Sequence, residues 1–192
     1  MPSSVDTASH LLDLVYTEHQ QVFALLDAAR DPRIFELIRG SNLPHASLFE
    51  GREGQYLERV APYVIALPRE APLWADLLGA WGQSWGIYLN APADILMVRD
   101  HVRKNLKIEA PNGAELYFRF YDPRVLRSFL VVCTAEECAE VFGPVSRFIM
   151  ESEDPAFAVE FQRTTGMATR QLVRISPMDM PTARYPNPEA VP

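Results

Sequence analysis

The segment Gly82-Gln83-Ser84-Trp85-Gly86 fits Gly-x-Ser-x-Gly, which in α/β hydrolases holds a serine nucleophile on a strained strand-to-helix turn. Such an elbow needs a strand before the first glycine and a helix after the serine, with acid and histidine following in chain order. Here a helical pattern, Leu73 to Trp81, comes before Gly82, and the strand-like run SWGIYLN comes after it. Only His101 lies downstream, and the nearby acids Asp94 and Asp100 share its helix. Asp100 projects away from its neighbour His101, and Asp94 lies two turns off, about 10 Å along the axis. The sequence therefore favours a turn residue at Ser84, with a small serine hydrolase as the alternative.

Other residues invite chemistry and fall short of it. Asp27 closes an apolar run, as an aspartyl nucleophile of phosphoryl transfer would. The next residues, Ala28, Ala29 and Arg30, supply neither a second carboxylate two positions on nor a glycine-rich turn for a phosphate. A capped turn or a pair with an arginine is the simpler expectation. Cys133 and Cys138 lack metal-ligand spacing and read as small buried apolar residues. His10, His19, His45 and His101 are scattered, so they are expected at the surface or in local hydrogen bonds, and neither a metal nor a cofactor is expected. Asp31-Pro32-Arg33 and Asp122-Pro123-Arg124 each start a helix, with Asp as N-cap and Pro in the first turn. An arginine there faces the positive end of the helix dipole and needs an acidic partner, within the fold or on a bound protein.

The elements that must position these residues alternate between strand and helix patterns. VFALLDA (Val22 to Ala28), HASLFEG, PYVIALP and SWGIYLN read as strands; DPRIFELIRG, QYLERVA and LWADLLGAW read as helices. Ile95, Val98, Val102 and Leu106 mark one face of an amphipathic helix. Asn112-Gly113 predicts a hairpin turn. In its second strand Leu116, Phe118 and Phe120 face one way, and Glu115, Tyr117, Arg119 and Tyr121 the other. DPRVLRSFLVVC and TAEECAEVF follow as helices, the latter opening on a Thr134/Glu137 capping box, and VSRFIMES and FAVEFQR as strands. The expected class is α/β: a mixed sheet of parallel βαβ units plus an antiparallel hairpin, in one domain or two small lobes. The expected divisions are 1–19 as an N-terminal helix or arm, 20–152 as the main domain, 153–175 as an added strand or arm, and 176–192 as a tail. That tail holds Pro177, Pro181, Pro186, Pro188 and Pro192.

Bulk properties narrow the function classes. A net charge of −7, with no Lys/Arg run longer than two, argues against general nucleic-acid binding. No apolar run is long enough to span a bilayer, and residues 1–19 lack the pattern of a secretory signal, so a cytoplasmic protein without membrane contact is expected.

Six segments in order, VFALLDAARDPRIFELI, ASLFEG, APYVIAL, SWGIYLNAPADILMVRDHVRKNLKI, GAELYFRFYDPRVLRSFL and VFGPVSRFIME, resemble the domain-of-unknown-function family 4123 from about Val22 to Glu151. The resemblance implies a non-enzymatic adaptor chaperone of the bacterial type VI secretion system. Such a protein holds one cognate toxic effector and helps load it onto the VgrG spike or its PAAR tip. It implies no catalytic set, metal or cofactor. Contact would be made through a groove or sheet edge, by strand addition or by burying an amphipathic helix. The residues expected at that interface are Trp85 and Tyr88, with Trp81 beside them, and Tyr117, Arg119, Tyr121, Asp122 and Arg124, since Trp, Tyr and Arg dominate interface hot spots.

Overall fold

A computed structural model of the chain describes residues 4–16, 20–109 and 113–175. The proline-rich segment 176–192, His19 and Asn112 lie outside the described residues. In chain order the elements are α1 (Ser4–Val15), β1 (Gln21–Asp27), α2 (Pro32–Gly40), β2 (His45–Ser47), α3 (Gly51–Tyr56), β3 (Pro62–Ala66), α4 (Leu73–Gly79) and β4 (Gly86–Ala91). Then follow α5 (Ile95–Lys104), β5 (Lys107–Glu109), β6 (Glu115–Tyr117), α6 (Pro123–Phe129), α7 (Ala135–Phe142), β7 (Arg147–Glu151), β8 (Phe157–Thr164) and β9 (Met167–Arg174).

Local sequence signals set the helix starts. The Asp31 and Asp122 side chains accept from the main-chain N–H of Arg33 and Arg124, each at 2.9 Å, and Asp94 caps α5 in the same way. Thr134 and Glu137 form the reciprocal capping box of α7. Cys133 and Cys138, both buried and free, occupy the positions on either side of that box where apolar groups staple a helix start. Each such cap is worth about 1 kcal/mol.

The strands form one seven-stranded sheet in the order β2-β3-β1-β4-β7-β8-β9, with β5-β6 as a separate hairpin. The α/β class and the hairpin are as the sequence predicts; parallel pairing is not. Every paired neighbour among the described strands is antiparallel. The connections β1-α2-β2 and β3-α4-β4 do return the chain in its starting direction. Each, however, steps over one strand, so β3 lies between β1 and β2, and β1 between β3 and β4. A strand covered on both faces reads as a continuous apolar run whichever way its neighbours run, so sequence pattern alone could not expose the intervening strand. Residues 153–175 supply β8 and β9 of this same sheet.

Alternation along β1 divides the interior in two. Phe23 and Leu25 face a core built with α5, α6 and α7, and Val22, Ala24 and Leu26 face one built with α1, α2 and α4. Helix α1 is part of this structure: Leu11 and Val15 are fully buried, and the Asn90 amide donates to the Val15 carbonyl at 2.9 Å. After Tyr117 the predicted alternation fails. Phe118 and Phe120 are buried as expected, but so is Tyr121, because Asp122 N–H bonds to the Arg119 carbonyl at 3.0 Å and closes a turn that rotates Tyr121 inward.

At the head of β4, Gly82 (φ 92°) and Ser84 (φ 57°) take left-handed conformations in the bend from α4. Gly86 meets a different constraint: a Cβ there would stand 2.1 Å from the Leu25 carbonyl oxygen and 2.9 Å from the Leu26 Cα. Gly86→Ala is therefore expected to push β4 away from β1 and lower stability by about 2 kcal/mol or more, read from the urea midpoint. Gly79→Ala, with open space around its Cβ position, is the control and should change little.

Candidate functional site

The end of the sheet where β1 and β7 finish and β3 and β4 begin collects the polar side chains. Its anchor is Asp27, 2% exposed, the last residue of β1. One carboxylate oxygen accepts from Ala29 N–H at 3.1 Å, turning the chain toward α2, and the other accepts from the Arg119 guanidinium at 2.5 Å. The sequence expectation of a capped turn or an arginine pair is met by both at once. Arg119 also lies over the Tyr121 ring, 5.7 Å from its centroid. The Tyr117 and Tyr121 side chains interact through their hydroxyl ends, and Tyr117 stands edge-on to Phe49. Burial, followed by this hydroxyl pair, raises the Tyr117 pKa.

Beside this cluster the second Asp-Pro-Arg closes on itself. Arg124 grips Asp122 through two contacts of 3.0 and 2.5 Å while the same carboxylate caps α6. Burial opposes ionisation of Asp122, but these bonds outweigh it and hold the carboxyl below its usual range. Asp31 and Arg33 repeat the arrangement at α2 with contacts of 3.0 and 2.6 Å. The acidic partner each of these arginines requires is the aspartate of its own motif. The Arg33 guanidinium further stacks 5.0 Å from the Trp85 ring. Trp85 forms the floor of an open groove of about 660 Å³ between α2 and α4, whose walls include Arg33, Leu37, Ala75 and Asp76.

Of the residues expected at an interface, Tyr117, Arg119, Tyr121, Asp122 and Arg124 are brought together at this end. Trp85 lies at the same end on the opposite face of the sheet, and Tyr88 does not join them. Tyr88 is interior, with Trp74 at 5.1 Å and Trp81 stacked at 6.4 Å between ring centroids. Trp85, Tyr121 and Asp122 are buried as well, so the accessible surface here belongs to Tyr117, Arg119 and Arg124.

Glu151, at the end of β7, went unremarked in the sequence. Its carboxylate is 6% exposed and accepts from the N–H groups of Ser84 (2.9 Å) and Gly82. The left-handed residues of Gly82-Gln83-Ser84 thus form an anion-holding nest, filled by the chain's own glutamate. His101 is engaged elsewhere: its Nε2 lies 3.0 Å from the Val141 carbonyl, and its ring occupies the space where a Cβ on Gly143 would stand. His10 and His45 also contact main-chain carbonyls. Among the described residues no three His, Cys, Asp or Glu side chains converge to hold a metal, and no helix is long and apolar enough to cross a membrane.

A family model described as Domain of unknown function (DUF4123) matches residues 22–140, more than half of the chain, and the chain belongs to that family. No curated protein and no solved structure matches it. The matched residues include Asp27, Arg119, Tyr121, Asp122 and both Asp-Pro-Arg motifs; Glu151 and β7 to β9 lie beyond them.

Two measurements follow from the geometry. Arg119→Ala leaves the Asp27 carboxylate buried without its cation. Because the guanidinium is half-exposed and screened, the expected loss is about 1–3 kcal/mol rather than the full value for a dry pair. A denaturation midpoint unchanged by Arg119→Ala would remove the pair from its anchoring role. Glu151 has the opposite signature: burial raises its carboxyl pKa, only partly offset by the Ser84 and Gly82 N–H groups and by Arg127 and Arg30. A folded-state pKa above the unfolded value means that the folded form binds the proton first, so stability is gained as pH falls through the folded-state value and is complete in the ordinary glutamate range. Urea titrations from pH 7 down into that range should show wild type gaining stability relative to Glu151→Gln.

Proposed function

We propose that this member of the DUF4123 family is a non-catalytic adaptor chaperone of type VI secretion. It holds a cognate toxic effector in the cytoplasm and promotes its loading onto the VgrG spike or PAAR tip. The six ordered segments that resemble the family's adaptors support this reading. The observation that carries it is the sheet end around Asp27, where half-exposed arginine and tyrosine side chains are fixed by partners inside the fold. Arg119 is held by Asp27, Arg124 by Asp122 and Tyr117 by Tyr121 and Phe49. Side chains already held in place lose less conformational entropy when a partner docks, and Arg and Tyr are the types that contribute most to interfaces.

The effector meets Tyr117, Arg119 and Arg124 as it docks. The hairpin β5-β6 stands next to them and carries half-exposed Ile108 and Leu116 on its apolar face. The groove over Trp85 lies at the same end on the other face and offers an apolar floor with a charged rim.

Capture of the tagged chain from cells of its native source is expected to recover one large effector together with a spike protein. The effector's abundance should fall when the chain is deleted. Recovery of neither protein overturns the reading. Arg124→Ala leaves the buried Asp122 carboxylate with only its main-chain N–H partner, so a stability loss of about 1–3 kcal/mol is expected, as for Arg119→Ala. Capture is therefore compared at a temperature where the variant is fully folded. Its capture of the effector should drop about tenfold, equivalent to ~1.4 kcal/mol.

A further inference from the structure

Strand β9 ends the sheet, and no described strand pairs with its outer side. Its ladder to β8 runs unbroken over eight pairs, from Phe157↔Arg174 to Thr164↔Met167, without a bulge. Exposed edges in soluble proteins are commonly shortened, bulged, covered or interrupted by proline. Among the described residues no strand covers this edge, and β9 carries added charge, with Arg170 and Arg174 and no acid of its own.

The direction of the ladder shows which groups are available. Ile175 N–H donates to the Ala156 carbonyl at 3.0 Å, so Ile175 is a hydrogen-bonded pair position. Antiparallel ladders alternate, so Val173, Gln171, Thr169 and Met167 also turn their main-chain groups toward β8. Ala168, Arg170, Leu172 and Arg174 then turn theirs outward. The side chains of these four residues share one face of the sheet. Leu172 is 51% exposed, and the exposed Arg174 places its guanidinium over the Phe157 ring, 4.7 Å from the centroid. Among the described residues neither Arg170 nor Arg174 forms an ion pair, although the chain carries a net charge of −7.

We propose that the outer edge of β9 is a strand-addition site for an extended segment of another protein. That segment carries carboxylates two positions on either side of an apolar residue. The acids meet Arg174 and Arg170, the apolar residue meets Leu172, and the main chain takes up the outward N–H and C=O groups. A second copy of this chain is a poorer occupant, since pairing β9 with itself gathers four guanidinium groups along one seam. The chain's own continuation is poorer still, because Pro177 and Pro181 lack the N–H a ladder needs. This proposal goes beyond the effector reading and does not rest on it, since a free peptide is the ligand tested.

The probe is a fluorescein-labelled peptide, Thr-Glu-Val-Leu-Val-Glu-Thr, titrated with the full chain and followed by anisotropy. Saturable one-to-one binding is expected, at least about tenfold weaker when both glutamates are replaced by lysine. Combining Arg170→Glu with Arg174→Glu should reverse that preference. Leu172→Pro removes an outward donor and leaves the β8 ladder intact, so it should abolish binding. If circular dichroism shows that Leu172→Pro fails to fold, the charge exchange decides alone. Absence of binding, equal affinity for the glutamate and lysine peptides, or binding unchanged in folded Leu172→Pro overturns the proposal. So does binding only by a chain ending at Ile175, which would place residues 176–192 on the edge, and so does a β9-dependent dimer in ultracentrifugation.

Discussion

A carboxylate buried at the end of the central strand constrains everything around it. Asp27 lies between β3 and β4 at 2% exposure, and a charge in that position is tolerable only beside a cation and hydrogen-bond donors. The cation comes from Arg119, 92 residues further along the chain. Reaching Asp27 from there fixes where the β5-β6 hairpin must return to the body of the fold. It also fixes the turn that follows. That turn buries Tyr121 and delivers Asp122 to the start of α6. One ion pair thus couples sheet, hairpin and helix, and the approach of Tyr117 to Tyr121 follows from the same placement.

The surrounding charges nearly cancel. Asp31 answers Arg33, Asp122 answers Arg124, and Glu151 sits near Arg30 and Arg127. A partner docking here would not be drawn by a strong net field, so discrimination would rest on shape and on guanidinium groups held at fixed angles. The edge of β9 differs. Its arginines are unpaired among the described residues, and a charged segment would recognise it through direct complementarity. The two surfaces therefore suit different chemistry on a bound protein: a rigid aromatic and arginine patch, and an open ladder.

Much of this is legible in the sequence. The two Asp-Pro-Arg caps, the Thr134/Glu137 box, the periodicity of Val98 and Val102 and the pairing of β5 with β6 depend on interactions between residues close together in the chain. Local pattern encodes such interactions. What could not be read depends on separation. Insertion of β1 between β3 and β4 leaves no local trace. Neither does the partnership of Asp27 with Arg119, or of Glu151 with the Gly82–Ser84 turn, 67 residues apart. Aromatic content also misled in one respect. Tyr88 has a residue type suited to an interface, but its strand position turns it into the α1/α2/α4 core between Trp74 and Trp81.

The Gly-x-Ser-x-Gly text shows how one spelling can serve opposite needs. In a hydrolase elbow, backbone strain lifts a hydroxyl out over the end of a sheet, with nearby N–H groups free to receive an oxyanion. Here the same letters stand before a strand rather than after one, and the left-handed turns at Gly82 and Ser84 aim their N–H groups inward at Glu151. Gly86 then carries no oxyanion role; it is the residue without a Cβ that lets β4 approach the Leu25 carbonyl. The motif's acceptor is internal, the chain's own Glu151, and it joins the head of β4 to the end of β7. Since β4 and β7 are adjacent central strands, the turn stabilises the same sheet end that presents Tyr117, Arg119 and Arg124.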